Sequence, residues 1–356
     1  MRGEPRLHAL FRYCQEHGGS DLHLMAGLEP RIRRRGSLEP VQGWNPLSAG
    51  EVDTLLREVV SEAQWQEFAD TGDLDFAYGL AGVARFRGNF LKQGTGASAV
   101  FRVIPQEILS LEQLALPAAI GKLAHLSRGL VLVTGPTGSG KSTTLAAIID
   151  EINRAYAKHV VTIEDPVEFV HPNRSCVLSQ REVGTDTADF SGALRAALRQ
   201  DADVILVGEM RDLETIALAI TAAEMGTLVF GTLHTNGTAN TIDRLIDAFP
   251  ADQQAQVRIT LSESLAAVVS QLLVPTADGK GRVAAHEILL RTSALPNVIR
   301  EGNTPMIRSL IQGGRSDGMQ LMDDALDALQ TAGTITPRDA YLKATDKARF
   351  EAFLDS

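Results

Sequence analysis

The amino-acid sequence predicts an α/β protein in two parts, and three observations carry that reading. Short unbroken apolar runs, Leu130 to Val133, Val160 to Ile163, Val204 to Val207 and Leu228 to Gly231, alternate with stretches of helical periodicity. A glycine-rich segment, Gly135-Pro136-Thr137-Gly138-Ser139-Gly140-Lys141-Ser142, follows the first run and opens a helical pattern. Ahead of these, residues 1 to 104 have another texture, one helical stretch and then short segments of period-two alternation.

Taken in order, Leu7 to His17 reads as an opening helix, and Pro30 to Gly36 and Gly82 to Phe90 read as strands, which together suit a small α+β domain over 1–104. In Ile104-Pro105-Gln106-Glu107 the proline disfavours a helix crossing this point, so the linker is placed at 105–110. Over 111–291 the unbroken apolar runs fit strands buried on both faces. Such strands separated by helices imply a parallel sheet with its ligand site at the strands' carboxyl ends. From 292 to 356 the pattern is helical, with Met322, Leu326 and Leu329 at helical spacing and Gly333 as a stop.

A length of 356 residues leaves room for about two domains with cores of their own. The net charge of -10 gives an averaged field that repels nucleic acid and anionic lipid headgroups, so no nucleic-acid partner is expected. No apolar run follows Met1-Arg2-Gly3-Glu4-Pro5, and Glu224 or Ser270 and Gln271 interrupt the longest apolar stretches, so neither a signal peptide nor a membrane span is expected. Cys14 and Cys176 alone build neither a disulfide framework nor a four-cysteine zinc site, and a reducing compartment, the cytoplasm, fits them.

The glycine-rich segment matches the phosphate-binding P-loop. Its glycines let backbone N–H groups converge on phosphate oxygens, Lys141 balances β- and γ-phosphate charge, and Ser142 offers a hydroxyl to Mg²⁺ at a helix N-terminus. The helix behind it carries Leu145, Ile148, Ile149 and Ile152 on one face. At the next strand end stand Glu164-Asp165-Pro166-Val167-Glu168, where Pro166 keeps the acids on an irregular loop. Asp203 to Glu209 resembles a Walker B strand, with Gly208 where many P-loop enzymes place the magnesium-ligating aspartate. Taken singly, Glu164, Glu168 and Glu209 also read as surface or capping carboxylates. His234 ends the run Leu228 to Leu233, and a neutral imidazole there would donate to a γ-phosphate, although a lone strand-end histidine is more often structural. His286 is a weaker candidate of the same kind.

These residues resemble the hexameric ATPases of type II secretion and type IV pili, and most closely the pilus-retraction branch. The likeness rests on Ser20-Asp21-Leu22-His23-Leu24, Gly82 to Arg87, the P-loop, Thr162 to Phe169, Val207 to Asp212 and Gly231 to Thr235. In that family the last four are the Walker A, Asp box, atypical Walker B and His box, and the glycine matching Gly208 is a family trait. The resemblance implies a PAS-like N-terminal domain, a RecA-like P-loop ATPase domain, a helical C-terminal appendage and a homohexamer that hydrolyses ATP with Mg²⁺. It further implies that Gly135, Pro136, Thr137, Gly138, Ser139, Gly140, Lys141, Ser142 and Thr143 hold the nucleotide. Glu164 and Glu168 would polarise the attacking water, Glu209 with Ser142 would support the metal directly or through water, and His234 would sense the γ-phosphate. Arg87 and Arg102 best match the family's N-terminal-domain arginines. Period-two alternation puts Arg85 and Arg87 on one strand face and Phe86 and Phe90 on the other, though alone a solvated strand face is the simpler reading. The run Arg31, Arg33, Arg34 and Arg35 keeps that plain reading.

Two cysteines cannot supply the zinc module usual in assembly members, which favours retraction and twitching motility. The implied partners are an inner-membrane pilus platform protein and a paralogous retraction ATPase, and the implied location is cytoplasmic, peripheral to the inner membrane. One departure stands out: the branch's Ala-Ile-Arg-Asn-Leu-Ile-Arg-Glu segment reads Ala294-Leu295-Pro296-Asn297-Val298-Ile299-Arg300-Glu301 here. That change keeps open a non-catalytic partner subunit or an assembly ATPase, and RecA-like cores also serve nucleic-acid motors.

Overall fold

A computed structural model describes residues 4–34, 36–104 and 107–351. Met1 to Gly3, Arg35 of the arginine run, Pro105 and Gln106 of the expected linker, and the tail beyond Glu351 lie outside the described residues. The chain forms two compact units, one of the residues up to Glu107 with Pro166–Val170, the other of Ile108–Asp165 with the residues from His171 onward.

In the first unit, helix α1 (Arg6–Glu16) buries Leu7, Leu10, Phe11 and Cys14, the i, i+3, i+4, i+7 stripe of an amphipathic helix. It packs on a six-stranded sheet ordered β3-β2-β1-β6-β5-β4 among the described residues, formed by β1 (Asp21–Met25), β2 (Arg31–Arg34), β3 (Ser37–Pro40), β4 (Asp73–Leu80), β5 (Ala84–Gln93) and β6 (Gly96–Ile104). Every pairing in it is antiparallel, as an α+β domain requires. The expected alternation holds along β5: Phe86 and Phe90 are buried and Arg87 is exposed. Phe11 stacks on Phe86 at 4.1 Å and meets Phe101 edge-on at 5.0 Å, so one aromatic cluster welds helix to sheet. Ser48 and Ser61 close capping boxes on α2 (Ala49–Arg57) and α3 (Glu62–Thr71), each worth about 1 kcal/mol.

The second unit is a seven-stranded sheet ordered β13-β12-β7-β11-β10-β8-β9 among the described residues. The four apolar runs become β7 (Gly129–Thr134), β8 (His159–Glu164), β10 (Val204–Val207) and β11 (Leu228–Leu233), parallel neighbours with apolar cores on both faces. β9 (Val177–Glu182) extends the parallel part beside β8. The parallel part expected from these runs is joined by β12 (Leu265–Pro275), which runs parallel to β7 and then folds back as antiparallel β13 (Arg282–Leu290), so the whole sheet is mixed. Helices α4 (Ala118–Lys122), α5 (Lys141–Ala155), α6 (Phe190–Ala197), α7 (Leu213–Glu224), α8 (Thr238–Asp247) and α9 (Gln254–Ser264) fill the connections.

The expected helical tail is α10 (Leu295–Arg300), α11 (Ile307–Gly313), α12 (Met322–Thr331), α13 (Pro337–Lys343) and α14 (Ala348–Glu351). Met322, Leu326, Ala340 and Phe350 bury against Val274 and Ala285 of the hairpin, so the tail belongs to this unit's core. Pro296 sits in the first turn of α10, where a helix needs no N–H donor, so the substitution removes a charge but breaks no helical hydrogen bond.

Candidate active site

The carboxyl ends of β7, β8, β10 and β11 carry the motifs singled out in the sequence. After β7, Gly135 takes a φ of +142° and a Cβ there would lie 2.2 Å from the Gln271 carbonyl oxygen, so only glycine lets β12 approach this closely. Gly138 and Gly140 are left-handed at +77° and +88°, and Gly140 is the N-cap of α5. The turn delivers Lys141, Ser142 and Thr143 as the first helical residues, whose N–H groups have no intrahelical acceptor. Lys141 is 9% exposed, and its ammonium donates to the carbonyls of Gly135 at 2.9 Å and Pro136 at 3.2 Å. The Ser139 hydroxyl is buried without a hydrogen-bond partner. Buried polar atoms are almost always paired, so an orphaned hydroxyl in a cradle of backbone donors beside an ammonium fits phosphate. Ser142 adds the hard oxygen ligand that Mg²⁺ prefers.

The acids at the neighbouring strand ends are fixed by specific donors. Thr162 and Glu164 share a face of β8 by period two, and the Thr162 hydroxyl donates to Glu164 Oε1 at 2.7 Å. Gln180, in register with Thr162 across β9, offers its amide nitrogen to the same oxygen at 3.4 Å and accepts the His171 N–H at 2.7 Å. Gly208 explains itself here: a Cβ would lie 3.1 Å from the Ile163 oxygen and 3.2 Å from the Glu164 Cα, so the missing side chain makes room for Glu164.

Glu209 is held from two sides. Arg211 donates to Oε2 at 2.7 Å and His234 Nε2 lies 2.8 Å from Oε1. The Arg211 hydrogen bond, then its charge, keeps the Glu209 carboxyl below the usual range, and His234 pulls the same way. With Nε2 donating, His234 Nδ1 is the acceptor facing the Thr137 hydroxyl, a long 3.5 Å contact. One imidazole thus spans the P-loop and the end of β10.

In the first unit Arg87 and Arg102 are direct cross-strand partners on β5 and β6, with side chains 49% and 72% exposed. Arg87 lies 3.7 Å from Asp75, and Arg102 donates to Asp21 at 2.8 Å. Burial raises the Asp21 carboxyl, but hydrogen bonds from Ser20 and Arg102 outweigh it and hold it below the ordinary range. Glu168 lies in Pro166–Val170, the segment that groups with this unit. His286 is buried at 2%, its pKa pushed down to about 4 by desolvation, and it faces Gln271 rather than the strand-end acids.

Sequence reasoning passed over Thr162, Gln180, Arg211 and Gln271 as site residues. Period two signals Thr162, while Gln271 shows itself as a polar residue inside an apolar strand. Gln180 carries no local signal, because only the register of β9 brings it to Glu164.

The family model of the Type II/IV secretion system protein matches residues 72–335. The type IV pilus retraction ATPase PilT of Pseudomonas aeruginosa is 50% identical over 335 residues, covering 94% of this chain and 97% of that one. A twitching motility protein of Neisseria gonorrhoeae is 50% identical over 315 residues, 88% and 84% of the two chains. Among solved structures, the pilus retraction motor PilT with bound ADP superposes with a TM-score of 0.91 at 44% identity, over 97% of this chain and 98% of the other.

Proposed function

The chain belongs to the type II/IV secretion system protein family, and on that premise we propose that it is an ATPase motor coupling ATP hydrolysis to type IV pilus retraction and twitching motility. The observation that carries the reading is His234, which joins the P-loop to Glu209 and so links the phosphate cradle to the strand-end acids. Near-complete coverage of both chains at half identity with a named retraction ATPase supports the same activity.

In this reading Gly135 to Thr143 grip the triphosphate through backbone amides and the Lys141 ammonium. Ser142, with Glu209 directly or through water, would hold Mg²⁺, which when bound would supply positive charge to offset that of the phosphates. Glu164 and Glu168 orient and polarise the attacking water, and Glu164 is fixed for that by Thr162. In this reading the His234 Nε2–H, which donates to Glu209, turns to the γ-phosphate when that is bound and returns to Glu209 as it leaves, so the bond to Glu209 reports the change. The paired guanidinium groups of Arg87 and Arg102 approach the phosphates as the N-terminal domain closes, which ties hydrolysis to domain motion. The domain bounds 1–104, 111–291 and 292–356, with a linker at 105–110, belong to the same proposal.

The working form is a homohexamer at the cytoplasmic face, attached to the inner membrane through the pilus platform protein and joined there by a paralogous ATPase. No helix among the described residues is long and apolar enough to cross a membrane. Deleting the gene tests the direction of force. Cells that stay piliated, often excessively, and no longer twitch support retraction; loss of surface pili assigns the chain to assembly instead.

A further inference from the structure

The P-loop is clamped from outside by one glutamine. Gln271 lies on β12 and is 2% exposed. Its backbone carbonyl presses on Gly135 at the start of the loop, and its amide nitrogen donates to the Ser139 carbonyl at 2.7 Å near the end. A Cβ on Gly140 would meet that same nitrogen at 2.8 Å. The amide's orientation is set by its other end, where Oε1 accepts from the Thr144 hydroxyl at 2.8 Å and lies 3.2 Å from His286 Nε2. Because the amide nitrogen is spent on Ser139, Oε1 must be the acceptor, and His286 must carry its proton on Nε2. A flipped amide would set its oxygen against the Ser139 carbonyl oxygen, which can only accept, so the amide nitrogen belongs on Ser139.

The line continues outward. Gln271 and His286 are direct partners across the β12–β13 hairpin. The His286 carbonyl accepts from the Gln320 side-chain amide at 2.9 Å, and Gln320 is pinned as an antiparallel bridge to Ile288, with Ile288 N–H to Gln320 oxygen at 2.9 Å. Gln320 stands one residue ahead of α12, next to its N-cap Leu321, so a polar connection runs from the P-loop through the hairpin to the C-terminal helices.

We propose that Gln271 is the positioning residue that sets the shape of the P-loop, and that Gln320 of the C-terminal segment acts on nucleotide affinity through it. The proposal rests on the P-loop holding nucleotide. A site whose amides must converge on phosphate gains affinity from being held in that shape beforehand, since a slack loop is ordered only at the expense of binding. Gln271 is buried behind the loop and spends its polar side-chain atoms on Ser139, Thr144 and His286, so its influence is placed on affinity and KM rather than on the chemical step.

Titration calorimetry of Mg·ADP into the full chain tests this with wild type, Gln271→Met, Gln320→Leu and the double variant. Gln271→Met is expected to weaken ADP about tenfold and Gln320→Leu about threefold, with the double variant near the Gln271 value rather than the product, because the two act along one line. Gln320→Leu should also raise KM for ATP while leaving kcat at saturation within about twofold, a split that mere destabilisation does not produce. Wild-type binding with unchanged affinity in Gln320→Leu, or effects that multiply independently, overturns the proposal. If Gln271→Met fails to fold, Thr144→Val removes a partner of the same amide oxygen, and unchanged ADP affinity there is equally damaging. Wild type that takes up no ADP overturns the P-loop reading itself, a separate failure.

Discussion

Two halves of the candidate site are built on different physics. Around the P-loop, Lys141, Thr144 and Gln271 are buried, and hydrogen bonds to backbone carbonyls or between Thr144 and Gln271 hold them. At the ends of β10 and β11, Glu209 and His234 are partly exposed, with side chains 20% and 44% accessible, and Glu209 is held by the charge of Arg211 and by its hydrogen bond with His234. A buried hydrogen-bonded network keeps one geometry, because an unmade bond inside a protein costs more than a made one gains. Partly solvated charges exchange partners cheaply. On the proposed function this contrast divides the labour: the cradle would grip and the acid edge would respond.

The largest expected break is Lys141→Ala. It removes the charge that balances the phosphates, so ATP binding and phosphate release should both fall by about 100-fold or more in steady-state assays. Activity near wild type would mean that the cradle is not the grip. Next comes the acid edge: Thr162→Val keeps shape and β-propensity but deletes the donor to Glu164. Turnover should drop about tenfold, ~1.4 kcal/mol, at little changed KM, with Thr162→Ser restoring most of it. Equal rates in the valine and serine variants would show that the hydroxyl does nothing. Gly208→Ala should cost about threefold, since neighbours need shift by only a few tenths of an ångström around Glu164.

The smallest effect is on stability. His171 and His286 are kept neutral by burial, with pKa values lowered to about 4. An unfolded histidine takes up its proton near pH 6.5, so the unfolded chain binds more protons between those values. Stability should therefore be level above about pH 7 and fall as the pH drops from about 6.5 towards 4, read as a declining melting midpoint. A midpoint that holds or rises over that interval contradicts the buried neutral state.

Much of this fold is legible in the sequence because its signals are local. The four unbroken apolar runs mark both-face burial, which is why β7, β8, β10 and β11 sit where the runs are. The P-loop is readable for the same reason: glycine positions and the following helix lie within one short segment. The hairpin of β12 and β13 is harder, because Ser270 and Gln271 break its apolar run, and those breaks are the residues that serve the P-loop and the His-box loop. The partners of Glu164 and Glu209 divide along the same line. Thr162 and Arg211 lie two positions away in sequence, whereas Gln180 and His234 reach their acids only through strand order.

The division between grip and chemistry is tested most directly by Glu164→Gln, measured for ATP affinity and single-turnover hydrolysis in the same preparation. The account expects ATP to bind within about twofold of wild type while cleavage falls by about 100-fold or more. Cleavage at the wild-type rate, or loss of ATP binding along with cleavage, would contradict it.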